Sequence, residues 1–333
     1  MKPIVALTVA LVLWCAAGPQ SADAQTKVRL SVGGQSALYY LPLTVTDRLG
    51  YFKDEGLAVE ISDLAGGSRA LQALIGGSAD VVTGAFDHTI QMQAKNQPLV
   101  AVVQLGQFPG FVLALRPSVN YSGPADLKGK KIGITAPGSS THFMVLHMMV
   151  AAGLKPEDAS FIGVGAGASA VAAIKRGDID ALVSVDPVIN LLLSENAIKI
   201  AADARTPEGT RGIYGGLYPA AVVYLTPAYA QNNPKTVQSL VNAFVRGLRW
   251  IAASSAEDIA KAMPPEHALG NPDNFIRSIR SSKPMYSPDG RFSRDSAQTA
   301  YNVLREFDAD VKRATIDVTK AYTDVYLNKV PAR

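Results

Sequence analysis

Cysteine is nearly missing from this chain. Cys15 is the only one among 333 residues. It lies in an apolar N-terminal run, so a chain cleaved after that run holds none. Disulfides, thiol nucleophiles and thiolate metal sites are then excluded. Histidine is scarce as well. His88, His142, His147 and His267 are the whole set, and they form no metal-spaced cluster. A strong charge of one sign is also lacking. Lys and Arg number 32 against 28 Asp and Glu, for a net charge of +4. The cations are scattered, and only Lys128, Lys130 and Lys131 stand close together. That run reads as a solvated turn and not as a nucleic-acid patch. No G-x-S-x-G elbow is present, which argues against a hydrolase. Beyond the N-terminus no stretch is long and charge-free enough for a transmembrane helix.

What is present begins with an export signal. Lys2 supplies a positive start, and Ile4 to Ala17 is almost wholly apolar but short for a bilayer span. Ala22-Asp23-Ala24 fits the small-x-small cleavage pattern, which makes residues 1–24 the signal peptide and Gln25 the first mature residue. The rival is a lipoprotein signal at Cys15. A small residue is wanted just before such a cysteine, and Trp14 stands there. An exported protein without disulfides fits a bacterial periplasm.

The chain also writes one unit twice, 100 residues apart. Ala65 to Asp87 reads AGGSRALQALIGGSADVVTGAFD, and Gly165 to Pro187 reads GAGASAVAAIKRGDIDALVSVDP. Gly67, Ala70, Ala73, Gly77 and Asp80 recur as Gly167, Ala170, Ala173, Gly177 and Asp180. Leu71 and Leu74 recur as Val171 and Ile174. Each copy predicts a small-residue loop, a short helix, a glycine stop and a buried strand. Two copies predict two similar lobes with a ligand cleft between them.

Strand-like runs at Val28–Val32, Val59–Leu64 and Val81–Thr83 alternate with helical stretches, with Tyr51–Gly56 as a charged turn. The alternation restarts at Lys131–Thr135, Phe161–Val164 and Ala181–Val185. This spacing predicts an α/β fold with parallel sheets and right-handed crossovers. Leu99–Leu105, Phe111–Leu115 and Val222–Leu225 read as further strands, the last crossing back. From Pro227 the pattern is helical: a long amphipathic helix from Asn233-Pro234, another behind the capping box at Ser255–Asp258, then 274–281, 294–307 and 317–327.

Six loops follow predicted parallel strands, where ligands bind in such sheets and where helix N-termini gather. They supply Gln35 and Ser36; Gly67, Ser68 and Arg69; Ala85, Phe86 and Asp87; Ser139, Ser140 and Thr141; Gly167; and Asp186. The hydroxyls either face a ligand or simply cap helices. Arg69, in a first helical turn where a cation is disfavoured, either meets an anion or faces solvent. Asp186 either accepts from a ligand or caps the helix after Pro187, and Asp87 has the same ambiguity. Tyr39, Tyr40, Phe86 and Tyr214 are candidate apolar walls or ordinary core. Gly163 to Ala168 mimics a dinucleotide fingerprint, but it does not open the first βαβ unit, and the chain reads as exported. No cofactor and no metal are expected.

The segment Gly50-Tyr51-Phe52-Lys53-Asp54-Glu55-Gly56-Leu57-Ala58-Val59-Glu60 resembles a stretch of the periplasmic substrate-binding proteins of nitrate/sulfonate/taurine ABC transporters. Ala73-Leu74 with Gly77–Asp80, Asp126–Gly133, Gly177–Ala181 and Asp186-Pro187 extend the resemblance over nearly all of the mature chain. It implies a two-lobe, type II-like α/β fold hinged by two crossing strands. Lobe 1 would be 25–115 plus 226–333, lobe 2 would be 116–225, and the hinge would lie near 112–117 and 219–226. It further implies a monomeric, non-enzymatic protein that delivers a small organic anion, a sulfonate or carboxylate, to an inner-membrane ABC permease. An enzyme on the same fold acting on a cofactor precursor and a ligand-presenting sensor are the alternatives. A related enzyme branch makes a thiamine pyrimidine precursor with a cysteine-rich motif that is absent here.

Overall fold

The computed structural model describes residues 25–331. The expected signal peptide and its cleavage site lie outside the described residues. The chain first runs through β1 (Thr26–Val32), α1 (Leu41–Arg48), α2 (Tyr51–Asp54), β2 (Leu57–Asp63), α3 (Gly67–Ile75), β3 (Val81–Ala85), α4 (Asp87–Ala94) and β4 (Val100–Gln104). β1 pairs in parallel with β2 on one side and β3 on the other. The chain then builds a second sheet from β5 (Val112–Leu115), β6 (Lys131–Ile134), α5 (Ser140–Ala151), β7 (Ser160–Gly163), α6 (Ala168–Arg176), β8 (Ala181–Ser184), α7 (Val188–Ser194), β9 (Lys199–Asp203) and α8 (Pro207–Tyr214). Here β6 pairs in parallel with β7 and β8. β10 (Ala221–Leu225) returns to the first sheet.

The strand orders are β2-β1-β3-β10-β4 and β7-β6-β8-β5-β9, one layout used twice. In each sheet a parallel trio is followed by one antiparallel strand from the other half of the chain. β10 lies between β3 and β4, and β5 lies between β8 and β9. Both are buried along their whole length, which is why they read as unbroken apolar runs. The expected lobe boundaries differ from this pairing. They leave β5 with lobe 1 and β10 with lobe 2, whereas the crossings run through 105–111 and 204–220. A short apolar run does not state which sheet it will join.

The repeated unit has a physical counterpart. Asp80 accepts from the backbone N–H of Arg29 on β1, and Asp180 accepts from that of Lys131 on β6. Each also pairs with an arginine, Arg29 and Arg116 respectively. The Arg29 guanidinium chiefly holds the Asp80 carboxyl below the usual range. For Asp180 the Lys131 N–H is the main cause of the same displacement. Gly77 and Gly177, both at positive φ, close the preceding helices.

The remainder is helical: α9 (Pro227–Asn232), α10 (Pro234–Ala253), α11 (Ala256–Ala262), α12 (Pro272–Ser282), α13 (Arg294–Phe307) and α14 (Ala309–Arg313). α10 is the expected amphipathic helix, burying a stripe of Val237, Leu240, Val241, Phe244, Leu248 and Ile251. Ser255 caps α11 by accepting from Asp258 N–H. The expected helix over 317–327 does not form. Asp317 accepts from Thr319 instead, and 321–323 lies along β4, with Ala101 N–H donating to Ala321 O and Thr323 N–H to Ala101 O. The segment covers a sheet edge, and that pairing overrides its helical pattern. The expected turn at Tyr51–Gly56 is one helical turn, α2, ended by Gly56 at φ 75°.

Candidate functional site

The carboxyl ends of both parallel trios face each other, and their loops touch. Ser68 N–H donates to Ser139 Oγ at 3.1 Å, and the two serine hydroxyls are 3.2 Å apart. His88 Nε2 lies 3.2 Å from Gly138 O, and Leu38 N–H donates to Asp186 O at 2.9 Å. Glycines permit this approach. A Cβ on Gly66 (φ 149°) would fall 2.7 Å from Ala136 Cβ, and one on Gly34 (φ 101°) 2.8 Å from Ala166 Cβ.

Between the loops is a cavity of about 30 Å³, room for water and not for an organic molecule. Tyr39, Tyr40, Gly67 and Ala85 bound it from the first lobe, and Ser139, Ser140, Thr141 and Ala166 from the second. Phe111, on the first crossing, completes the wall. Tyr39 stacks on Phe111 with centroids 5.2 Å apart and meets Tyr40 edge-on at 4.8 Å. Burial pushes the hydroxyls of Tyr39 and Tyr40 well up, so both stay protonated.

Asp87 lies behind the Ser140 wall at the start of α4. It is fully buried. Its Oδ2 accepts from Ser140 Oγ across the lobes at 2.5 Å and from the Tyr218 hydroxyl at 3.2 Å, while Oδ1 has no partner. Asp186 is 2% exposed and caps α7 by accepting from Asn190 N–H at 3.0 Å. Its Oδ2 is 3.6 Å from Arg205 Nη1, but Arg205 places its shorter bonds on Asp203. Burial therefore outweighs the arginine and pushes the Asp186 carboxyl up to about 6. His142 is neutral, its imidazole brought down to about 4 by burial.

The structure distributes the expected residues unevenly. Gly67, Ala85, Ser139, Ser140 and Thr141 line the cavity, and Ser68 bonds Ser139 at its edge. Gly167 and Ser36 face each other across the lobes, since a Cβ on Gly167 would lie 3.4 Å from Ser36 Oγ. Gln35 is half-buried, and its N–H, like that of Gly34, donates to Asp63 Oδ1. Arg69 is exposed. Phe86 is fully buried, 6.1 Å from Phe292 and 6.3 Å from Tyr322 between centroids, in the first-lobe core. Tyr214 stacks between Tyr218 and His147, away from the cavity wall. Phe111 and Tyr218 were not anticipated. Phe111 opens a run read only as a strand, and Tyr218 lies in the crossing at 204–220, so neither carried a local signal for the cleft. α13 packs on both α4 and α5, and Glu306 bonds His147 Nδ1 at 2.7 Å.

Two lobes, each a mostly parallel sheet flanked by helices, with loops from both meeting over an aromatic cavity, define the two-lobe binding-protein class of α/β folds. Residues 37–257 match the family described as NMT1/THI5 like, and the chain belongs to that family. A solved protein from Bordetella bronchiseptica RB50 is 46% identical, with TM-score 0.88, over 92% of this chain and 96% of that one. A 4-amino-5-hydroxymethyl-2-methylpyrimidine phosphate synthase of Aspergillus parasiticus is 26% identical over 76% of this chain and 75% of its own length. The alkanesulfonate-binding protein SsuA from Xanthomonas axonopodis pv. citri, solved bound to MOPS, shares the fold at 19% identity and TM-score 0.69, over 91% of this chain and 99% of that one.

Proposed function

We propose that this protein is the exported solute-binding component of an ABC-type importer and that it binds without turnover. The observation that carries the reading is the contact set across the lobes: Ser68 with Ser139, Asp87 with Ser140, and His88 with Gly138. These bonds close a cleft whose cavity is too small for an organic molecule, so a solute must enter with the lobes apart and take over some of the bonds. A ligand touched by both lobes favours the closed arrangement because only that arrangement supplies both sets of contacts. Likeness to alkanesulfonate- and nitrate-binding proteins supports the transport role.

The finer expectation of a sulfonate or carboxylate has weak support. N-termini of α3 and α5 adjoin the cavity, but its lining holds no Lys, Arg or His. We take the ligand as a small organic solute with an apolar body suited to Tyr39, Tyr40 and Phe111. The synthase relatives supply the competing enzyme reading. The test is to identify the solute released from protein purified from its native periplasm, then incubate it with excess protein. Recovery unchanged supports binding, and conversion on a catalytic timescale establishes the enzyme instead.

A further inference from the structure

Among the described residues, Asp87 is a buried carboxylate at the cleft with no cation beside it. Asp87 Oδ1 has no partner at zero exposure, and among the described residues no Lys or Arg pairs with this carboxylate. The adjacent His88 turns its ring elsewhere: Nε2 donates to Gly138 O, and Nδ1 lies 3.3 Å from the Tyr224 hydroxyl. Asp186, on the opposite lobe, is the other buried carboxyl among the described residues, and it has Arg205 at 3.6 Å.

Some of the backbone donors that would suit an anion are already occupied. Gly34 and Gln35 donate to Asp63, Ser68 to Ser139, and Gly138 to His142 Nδ1. A buried carboxylate oxygen left unpartnered is costly, and a donor or cation brought to it relieves that cost. Ala85, two positions before Asp87, and Ser140, which bonds it, both line the cavity, so the carboxylate lies directly behind the wall. The ring faces of Tyr39, Tyr40 and Phe111 attract the same kind of partner.

We infer that Asp87 is the specificity-determining residue of the cleft and selects a ligand carrying a cationic N–H group, an ammonium or amidinium on a small apolar body. The inference rests on the solute-binding reading above. On ligand entry the N–H group is brought to Asp87 Oδ1, the oxygen without a partner.

The test uses matched probes on the mature chain by calorimetry at pH 7: benzylamine and benzamidine against benzyl alcohol, benzoate and benzenesulfonate. The cations are expected to bind at least about 10-fold more tightly than the anions. Asp87→Asn is expected to lower cation affinity about 10- to 100-fold, the scale of a charged hydrogen bond, while benzyl alcohol changes little. Should that variant fail to fold, the wild-type order of cation and anion affinities decides alone. Anions that bind more tightly than cations, or cation binding unchanged in Asp87→Asn, overturn the inference and leave the solute-binding reading intact. If no probe binds and no solute is recovered from native protein, both fail.

Discussion

Asp186→Asn is expected to stabilise the protein at neutral pH. The carboxyl is 2% exposed and pushed up from 3.8 to about 6, because burial outweighs an arginine 3.6 Å away that is engaged elsewhere. A folded-state value above the unfolded one means that the folded protein holds this proton more tightly. Below about pH 4 both states are protonated and the group costs nothing. As pH rises through about 6 the folded protein must bury a charge, and the cost reaches roughly 3 kcal/mol. Asparagine keeps the Oδ1 acceptor for Asn190 N–H and cannot ionise. It loses the attraction of Arg205, so the net gain at pH 7 is about 1–3 kcal/mol. Thermal midpoints of wild type and variant, measured from pH 4 to 8, should diverge with rising pH and converge near pH 4. A difference that is independent of pH, or a variant less stable at pH 7, would refute the reasoning.

Other substitutions probe the cleft and its surroundings. Gly33→Ala puts a Cβ 2.2 Å from Gly66 C and Gly67 N, both backbone atoms, and should destabilise by about 1–3 kcal/mol in chemical denaturation. Glu306→Ala removes the bond to His147 that ties α13 to α5. It should lengthen the mean distance between the lobes while changing stability by less than about 1 kcal/mol, because Glu306 is 43% exposed. Arg69→Ala should leave solute affinity within about 0.5 kcal/mol of wild type by calorimetry, as expected for an exposed side chain.

Much of the fold was legible because local chemistry wrote it twice. Gly77 and Gly177 end helices, and Asp80 and Asp180 tie the next strand to its neighbour, so one spacing encodes one unit in each lobe. The cavity-lining serines were legible as candidates because small polar residues recur after the parallel strands of both lobes, although each alone could be a helix cap. What was not legible depends on distant partners. β5 and β10 are apolar runs whose sheet is chosen by residues far away in sequence. Residues 317–327 carry a helical pattern, but the unpaired edge of β4 takes their backbone. The bonds from the N–H groups of Gly34 and Gln35 to Asp63 span almost thirty residues and leave no local mark in the sequence. Asp87 was named, but that no Lys or Arg among the described residues pairs with it is a property of the packed lobes.

If the two lobes clamp a solute, their separation must respond to it. A chain expressed from Gln25 onward has no cysteine to interfere with labelling. Spin labels can therefore be placed at Gln72→Cys on α3 and Lys175→Cys on α6, both exposed and on opposite lobes. The distance distribution between them should be broad without solute. At saturation it should collapse to the shorter separation of the closed arrangement. A distribution unchanged at saturation, with calorimetry showing the solute bound, would contradict the clamp.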